Sequence, residues 1–268
     1  MFYKKDNIKL HYKVIGEGRE VFLIHGLGCD MRLMKGCMEE KVFLKNSNYK
    51  RIYIDLPGMG KSPAFNGGVS SDKILDILTC FIKDYTKDTF YLVGESYGGY
   101  LVRGILSKLK EQVEGMVLIC PVVIAKHELR NTAKKNVLIK DEEFLKTLSL
   151  KDRKHFEYYG VVLNEHTFKR YKEEIESGLK IQDNEFINKL NKKYDFSFDV
   201  DERIKNIKYD KPVLFIAGRQ DACVGYEDLW KISLDYDKAS FILLNNAGHN
   251  LQIEQEEIFT NILKNYFK

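Results

Sequence analysis

Gly94-Glu95-Ser96-Tyr97-Gly98 places one serine between two glycines, at a point where the sequence changes its pattern. The residues before it, 89–93 (Thr-Phe-Tyr-Leu-Val), are mostly apolar and rich in side chains that favour β-strands. The residues after it, 99–106 (Gly-Tyr-Leu-Val-Arg-Gly-Ile-Leu), are typical of a helix. The stretch therefore predicts a tight turn from a strand into a helix, with glycine wherever a side chain would not fit.

Such a turn would present the Ser96 hydroxyl above the edge of a sheet, as a nucleophilic serine requires. The start of the following helix directs free N–H groups and the positive end of its dipole towards the same point. We therefore expect the N–H of Tyr97 to be one donor to an oxyanion. His25-Gly26-Leu27-Gly28 follows another apolar stretch, and its glycines let the backbone approach a ligand closely. The N–H of Leu27 is the expected second donor.

Apolar runs alternate with helical patterns along the rest of the chain. Polar and apolar side chains alternate over residues 2–15, as in an antiparallel strand with one wet face. The succession of apolar runs and helical patterns predicts an α/β fold with a mostly parallel sheet covered on both faces. The ligand site of such a fold is expected beyond the carboxyl ends of the strands. Further strands are expected near 21–24, 51–54, 117–119, 212–218 and 240–244. Helices are expected over about 31–45, after a cap at 70–72 with apolar positions from 74 to 82, over about 226–235 and at the C-terminal residues.

The segment 122–205 has a different texture, with amphipathic helical patterns and without strong buried strands. We interpret it as a helical cap inserted into a core formed by residues 1–121 and 206–268. Its aromatic side chains are expected to attach the cap to the core, and some of them should face the substrate. These aromatic residues are Phe156, Tyr158, Tyr159, Phe168, Tyr171, Phe196 and Phe198.

Composition excludes several classes of function. The 43 Lys and Arg residues nearly balance the 39 Asp and Glu residues, and no basic run marks a nucleic-acid surface. The N-terminus carries no signal-peptide pattern and no apolar run is long enough to span a membrane, so a cytoplasmic location is expected. The five cysteines lack metal-binding spacing and are expected to be reduced and mostly buried, with a redox role open for Cys29 and Cys223.

A serine hydroxyl is a weak nucleophile at neutral pH and needs a base. His249, which follows the last predicted strand, is the best candidate, because it can take the serine proton and return it to a leaving group. Asp221 follows the preceding predicted strand and is favoured as the carboxylate that orients the imidazole. Glu128 and Asp228 are the alternatives for this acid.

Two other motifs are interpreted as structural. His25 belongs to the turn after an apolar strand, and its imidazole is expected to brace that loop. The stretch Asp55-Leu56-Pro57-Gly58-Met59-Gly60-Lys61-Ser62 ends like a phosphate-binding loop, but its first position is Asp55 instead of glycine. Pro63 also disfavours a helix start directly after Ser62.

These motifs together resemble the α/β-hydrolase fold family, in the esterase or prolyl aminopeptidase-like branch. The resemblance is carried, in the family's order and over nearly the whole chain, by residues 25–28, 55–62, 94–99, 218–221 and 248–249. It implies an eight-stranded sheet with helices on both faces, a cap inserted after the sixth strand, the chain order Ser, Asp, His for the catalytic residues, and no cofactor. A serine at position 96 sets the chain apart from relatives that use an aspartate nucleophile.

The resemblance favours a serine hydrolase, of the carboxylesterase type, that cleaves a small-molecule ester or similar acyl bond through an acyl-enzyme. A prolyl aminopeptidase-like peptidase or amidase, a carbon–carbon bond hydrolase and a non-catalytic ligand-binding protein remain alternatives. The expected partner is a small-molecule substrate, without nucleic acid or metal, and a homodimer is left open. In an aminopeptidase, cap carboxylates would hold the substrate's amino group, and the cap offers Glu142, Glu143, Glu157, Glu165, Glu173, Glu174 and Glu176.

Overall fold

The computed structural model describes residues 1–44 and 48–268. Their central feature is an eight-stranded sheet in the order β1-β2-β4-β3-β5-β6-β9-β10, in which β1, β2 and β4 pair antiparallel and all other neighbours pair parallel. The fold class predicted from the sequence is confirmed. The strands of this sheet are β1 (Phe2–Lys5), β2 (Ile8–Ile15), β3 (Arg19–Ile24), β4 (Tyr49–Ile54), β5 (Phe90–Glu95), β6 (Val113–Ile119), β9 (Val213–Gly218) and β10 (Ala239–Leu244).

Six α-helices of the described residues cover the sheet outside the inserted segment. They are α1 (Met31–Met38), α2 (Ser71–Tyr85), α3 (Tyr97–Leu109), α10 (Glu227–Ser233) and the C-terminal pair α11 (Leu251–Glu254) and α12 (Glu256–Tyr266), which continue one another. Ser70 caps α2 by accepting from the N–H of Lys73. Within the described ranges, no helix has the length and apolar character needed to cross a bilayer.

The helix predicted over residues 31–45 is too long, since α1 ends at Met38. Glu39 caps the end of the helix, and its carboxylate accepts hydrogen bonds from Arg51 at 2.9 and 2.8 Å and from Tyr53 at 2.7 Å. These contacts with β4 outweigh the local helical pattern, and the chain continues in turns up to residue 44. The predicted end at residue 45 lies outside the described residues.

Strand register brings the carboxyl ends of the parallel strands to one edge of the sheet. Gly94 pairs with Ile24 of β3 on one side and with Leu118 of β6 on the other, and Leu118 pairs with Phe215 of β9. The loops that follow these strands therefore meet at the same edge, where the sequence predicts the site.

Between β6 and β9 the chain leaves the sheet and forms mostly short helices. These are α4 (Glu142–Thr147), α5 (Leu150–Tyr159), α6 (Glu165–Arg170), a π-helix (Tyr171–Glu176), α7 (Ser177–Leu179), α8 (Asn184–Asn191) and α9 (Val200–Ile207), with a two-stranded ribbon of β7 (Ile139–Lys140) and β8 (Val162–Leu163). Helix α9 runs across the predicted boundary at 205/206. The division into core and cap stays a prediction.

Aromatic contacts attach this inserted segment to helix α3. Phe196 stacks on Tyr100 with ring centroids 4.2 Å apart, and its N–H donates to the Tyr100 hydroxyl at 2.9 Å. The ring of Tyr194 lies 4.9 Å from that of Tyr97, whose hydroxyl hydrogen-bonds to Ser71 at 2.9 Å. The segment is therefore fastened to the helix that begins directly after Ser96.

A buried cation strengthens the same junction. Arg103 of α3 is completely buried, and its guanidinium pairs with the carboxylate of Asp201 on α9 and lies 3.4 Å from the hydroxyl of Tyr236. A buried charge that loses its partner is costly, because the desolvation of the remaining ion is no longer compensated.

We predict that Asp201→Ala lowers the free energy of unfolding by about 3 kcal/mol, because it leaves Arg103 buried and unpaired. Urea unfolding followed by circular dichroism measures the change. The double variant Arg103→Met/Asp201→Ala should unfold within about 1 kcal/mol of the wild type, since an apolar side chain replaces the whole pair.

Asp76→Ala is the matched control. It breaks the exposed pair between Asp76 and Lys108, which also lies on α3, and should cost less than about 1 kcal/mol. Equal midpoints for Asp201→Ala and Asp76→Ala would contradict a stabilising role for the pair between buried Arg103 and half-buried Asp201.

Candidate active site

Ser96 occupies a strained turn between β5 and α3. Its backbone has φ 52° and ψ −116°, a region that side chains other than that of glycine rarely adopt. A Cβ at Gly94 would lie 2.5 Å from the carbonyl oxygen of Gly98, and a Cβ at Gly98 would lie 2.2 Å from that of Ile24. Both glycines are thus required by close backbone approach, as the sequence predicts.

Hydrogen bonds to β6 and the loop after it hold this turn. The N–H of Ser96 donates to the carbonyl of Ile119 at 2.9 Å, and the carbonyl of Ser96 accepts from Val122 at 2.9 Å. The backbone around the serine is therefore held on both sides while its side chain stays on the wall of a cavity.

Three side chains from three loops form one hydrogen-bonded chain. His249 Nε2 lies 2.9 Å from Ser96 Oγ, and His249 Nδ1 lies 2.9 Å from Asp221 Oδ2. With Asp221 ionised, Nδ1 carries the proton and Nε2 is free to accept from the serine hydroxyl. The structure thus brings together the three residues that the sequence singles out.

Asp221 is completely buried and well supplied with hydrogen-bond donors. Its Oδ1 accepts from the N–H groups of Cys223 at 2.7 Å and Val224 at 3.0 Å. Burial opposes ionisation, but His249 and these backbone donors outweigh it and hold the pKa of Asp221 below its ordinary value. The carboxylate is therefore charged and can orient the imidazole.

The two alternative acids lie elsewhere. Glu128 is exposed at the mouth of the cavity, and Asp228 of α10 accepts from the N–H of Asn131 at 2.8 Å. Of the three carboxylates weighed from the sequence, Asp221 is the one that hydrogen-bonds to His249.

His249 is surrounded by groups that favour its protonated form. Burial alone lowers the pKa of an imidazole, but Cys223 and Asp221 outweigh this effect and raise the pKa of His249 well above its ordinary value. In turn, His249 lowers the pKa of the Cys223 thiol. Cys29 and Cys223 both line the cavity, and a redox role for either stays a prediction.

The two expected oxyanion donors lie on either side of the serine. Tyr97 is the first residue of α3, so its N–H has no acceptor within the helix. A Cβ on Gly26 would lie 3.2 Å from the Cβ of Ser96, so the loop that carries Leu27 passes directly over the serine. Neither N–H donates a hydrogen bond to any atom of the residues that the structure describes.

His25 braces the loop as expected. It is completely buried, its Nδ1 lies 2.7 Å from the carbonyl of Gly26, and its Nε2 accepts from the N–H of Leu56 at 3.0 Å. Burial lowers the pKa of His25 and keeps the ring neutral. Asp55 stabilises the neighbouring loop, because its carboxylate accepts from the N–H groups of Met31 at 2.8 Å and Lys61 at 3.0 Å.

A cavity of about 680 Å³ opens at this edge of the sheet. Ser96 and His249 lie on its wall, and the inserted segment contributes both apolar and charged side chains. The apolar and aromatic ones include Tyr159, Ile175, Leu179 and Tyr194, and the charged ones are Lys126, Glu128, Arg130, Lys192, Lys193 and Asp195. The seven glutamates offered by the cap do not line this cavity, so the structure does not support capture of an amino group by them.

The sequence reasoning missed two buried carboxylates. Glu95 directly precedes the serine, and its Oε1 lies 3.6 Å from His249 Nε2. Glu254 accepts at 2.6 Å from the N–H of Gly248, next to His249, and with its other oxygen at 2.6 Å from the N–H of Val161. Glu95 stands inside the most informative motif, whereas no sequence signal marks Glu254, because its partner Val161 lies 93 residues away in the chain.

The donor atoms of Cys120, Asp221 and His249 lie within 4.8 Å of one another, close enough to hold a metal ion. Asp221 and His249 already satisfy each other, and the Cys120 thiol lies 3.6 Å from the carbonyl of Gly248. The cluster is therefore explained by the hydrogen-bonded chain, without an ion.

Relatives of the chain include named enzymes. A pimeloyl-(acyl-carrier protein) methyl ester esterase of Legionella pneumophila is 23% identical over 276 residues, which cover 97% of this chain and 100% of that protein. The Shewanella woodyi enzyme of the same name is 30% identical over 110 residues, 41% of this chain and 39% of that protein. A 2-hydroxy-6-oxononadienedioate/2-hydroxy-6-oxononatrienedioate hydrolase of Escherichia coli is 30% identical over 114 residues, 42% of this chain and 40% of that protein.

A solved structure agrees over almost the full length. The alpha/beta superfamily hydrolase from Oenococcus oeni PSU-1 superposes with a TM-score of 0.88 at 32% identity, covering 99% of this chain and 97% of that one. The family profile described as the alpha/beta hydrolase fold matches residues 21–256. The chain therefore belongs to the alpha/beta hydrolase fold family.

Proposed function

We propose that the protein is a serine hydrolase that cleaves small-molecule esters through an acyl-enzyme on Ser96. One observation carries this proposal: the two 2.9 Å hydrogen bonds that link Ser96, His249 and Asp221 on the wall of a cavity of about 680 Å³. A nucleophile, its base and the orienting acid are the parts that acyl transfer requires.

The reaction follows from this arrangement. His249 Nε2 takes the proton of Ser96 as the serine oxygen attacks the ester carbonyl, and Asp221 stabilises the imidazolium that forms. The N–H groups of Leu27 and Tyr97 donate to the oxyanion of the tetrahedral intermediate. The intermediate collapses, the imidazolium protonates the leaving alcohol, and water repeats the sequence on the acyl-enzyme.

The segment 122–205 is proposed to act as the cap that selects the substrate. Its side chains in the cavity combine apolar and aromatic groups with charged ones, among them Lys126, Arg130, Lys192 and Lys193, which suits an acyl or alcohol group that carries a polar substituent. Two relatives that are named as methyl ester esterases support the proposal that the substrate is an ester. Carbon–carbon bond hydrolysis is the second candidate, because one relative is named as a 2-hydroxy-6-oxononadienedioate/2-hydroxy-6-oxononatrienedioate hydrolase.

We predict that Ser96→Ala lowers kcat on p-nitrophenyl esters by at least about 10⁴-fold, because the nucleophile is removed while the fold is kept. A fluorophosphonate probe should label the wild type and leave Ser96→Ala unlabelled. Ser107→Ala, on the same helix with its hydroxyl bonded to the Gly104 carbonyl, is the control and should be labelled normally. An unlabelled wild type would instead indicate a ligand-binding protein.

A substrate panel tests the bond that is cleaved. We expect turnover of short p-nitrophenyl esters and none of amino-acid p-nitroanilides, because the seven glutamates expected to hold an amino group do not line the cavity and its four Lys and Arg side chains outnumber its three carboxylates. A 2-hydroxy-6-oxo-dienoate, a vinylogous diketone, is included in the panel as the test substrate for carbon–carbon bond hydrolysis. Turnover of the anilides alone, or of the diketone alone, would overturn the ester proposal, and Ser96→Ala is the blank for each substrate.

A further inference from the structure

A second carboxylate approaches the imidazole from the side opposite to Asp221. Glu95 is the last residue of β5 and is only 4% exposed, and it lines the same cavity as Ser96. Its Oε1 lies 3.6 Å from His249 Nε2, whereas Asp221 contacts Nδ1. This distance is too long for a hydrogen bond, so the interaction between Glu95 and the ring is electrostatic.

Within residues 1–44 and 48–268, a single charged group lies close enough to Glu95 to compensate for its burial. Among the residues described, His249 is the one cationic group within ion-pair distance of its carboxylate. The loop above leaves space for it: a Cβ on Gly26 would lie 2.3 Å from Glu95 Oε2. A buried carboxylate without a cation is costly, so a charge that appears on His249 is its natural complement.

The charge on His249 changes during the proposed reaction. The ring is neutral when it accepts the serine proton and positive in the tetrahedral intermediate. A buried carboxylate at 3.6 Å favours the positive form, and it does so at the nitrogen that receives the proton.

We propose that Glu95 is a positioning residue that stabilises the imidazolium form of His249 from its Nε2 side. The proposal rests on the proposed function of Ser96. It gives His249 two flanking carboxylates with different tasks: Asp221 orients the ring through a hydrogen bond, and Glu95 acts on it through its charge.

The charge of Glu95 depends on pH in the working range. Burial raises the pKa of Glu95 to about 7, while His249 acts in the opposite direction. Protonation of Glu95 and of His249 is therefore coupled, and the acid limb of the pH profile belongs to both groups. The other titratable groups that face His249 are Asp221 and Cys223 after β9, Cys120 after β6 and Cys29 after β3.

The test is the pH dependence of kcat and kcat/KM for a p-nitrophenyl ester, read at the isosbestic wavelength of p-nitrophenol. Glu95→Gln removes a negative charge beside the imidazolium, so the pKa of His249 falls and the acid limb moves to lower pH. We expect a shift of about one pH unit. We also expect kcat on the high-pH plateau to fall by up to about tenfold with KM unchanged, since one pKa unit is a tenfold difference between protonation states.

Two variants separate charge from packing. Glu95→Asp keeps the charge and should keep the acid limb near that of the wild type. Glu111→Gln makes the same change in net charge at an exposed residue and should leave the profile unchanged. If Glu95→Gln is insoluble, Glu95→Met removes the charge in its place.

The proposal is overturned if the acid limb of Glu95→Gln coincides with that of the wild type. It is also overturned if Glu95→Asp moves the limb as far as Glu95→Gln does. Fluorophosphonate labelling of Ser96 in the wild type shows separately that the serine chemistry is intact. A failed Glu95 test is thereby distinguished from a failure of the proposed function.

Discussion

The strained backbone of Ser96 is the constraint on which the rest of the site depends. A residue in this conformation costs on the order of 1–3 kcal/mol and persists only where its surroundings leave no alternative. The surroundings here are the close contacts at Gly94 and Gly98 and the hydrogen bonds to Ile119 and Val122. Because these contacts belong to β3, β5 and β6, the central sheet itself fixes the position of the serine oxygen.

A second principle of the site is that every buried charge faces a specific partner. Asp221 receives two backbone N–H groups and the imidazole, and Glu254 receives backbone N–H groups from two loops. Glu95 differs, because its cationic partner His249 is neutral in the form that accepts the serine proton and charged in the tetrahedral intermediate. The site therefore combines two kinds of carboxylate. Asp221 and Glu254 have their hydrogen-bond partners in place before the reaction, whereas the charge of Glu95 is best compensated in the tetrahedral intermediate.

Much of this arrangement could be predicted because it depends on position along strands. Ser96, Asp221 and His249 each follow a strand with a clear apolar pattern, and parallel strands bring their ends to one edge. Helix α1 was predicted too long, because the contacts of Glu39 with β4 are not visible in a local pattern. Glu254 escaped notice for the same reason, and the sequence could not show that the seven cap glutamates lie outside the cavity.

Glu254 also joins two parts of the fold that could otherwise change independently during evolution. One oxygen of its carboxylate binds the loop of His249, and the other binds the N–H of Val161 at the start of the ribbon strand β8. The inserted segment and the catalytic loop thus share one anchoring group. An insert transplanted from another protein would have to supply a backbone donor at the same place, so the inserted segment and the loop of His249 can change only together.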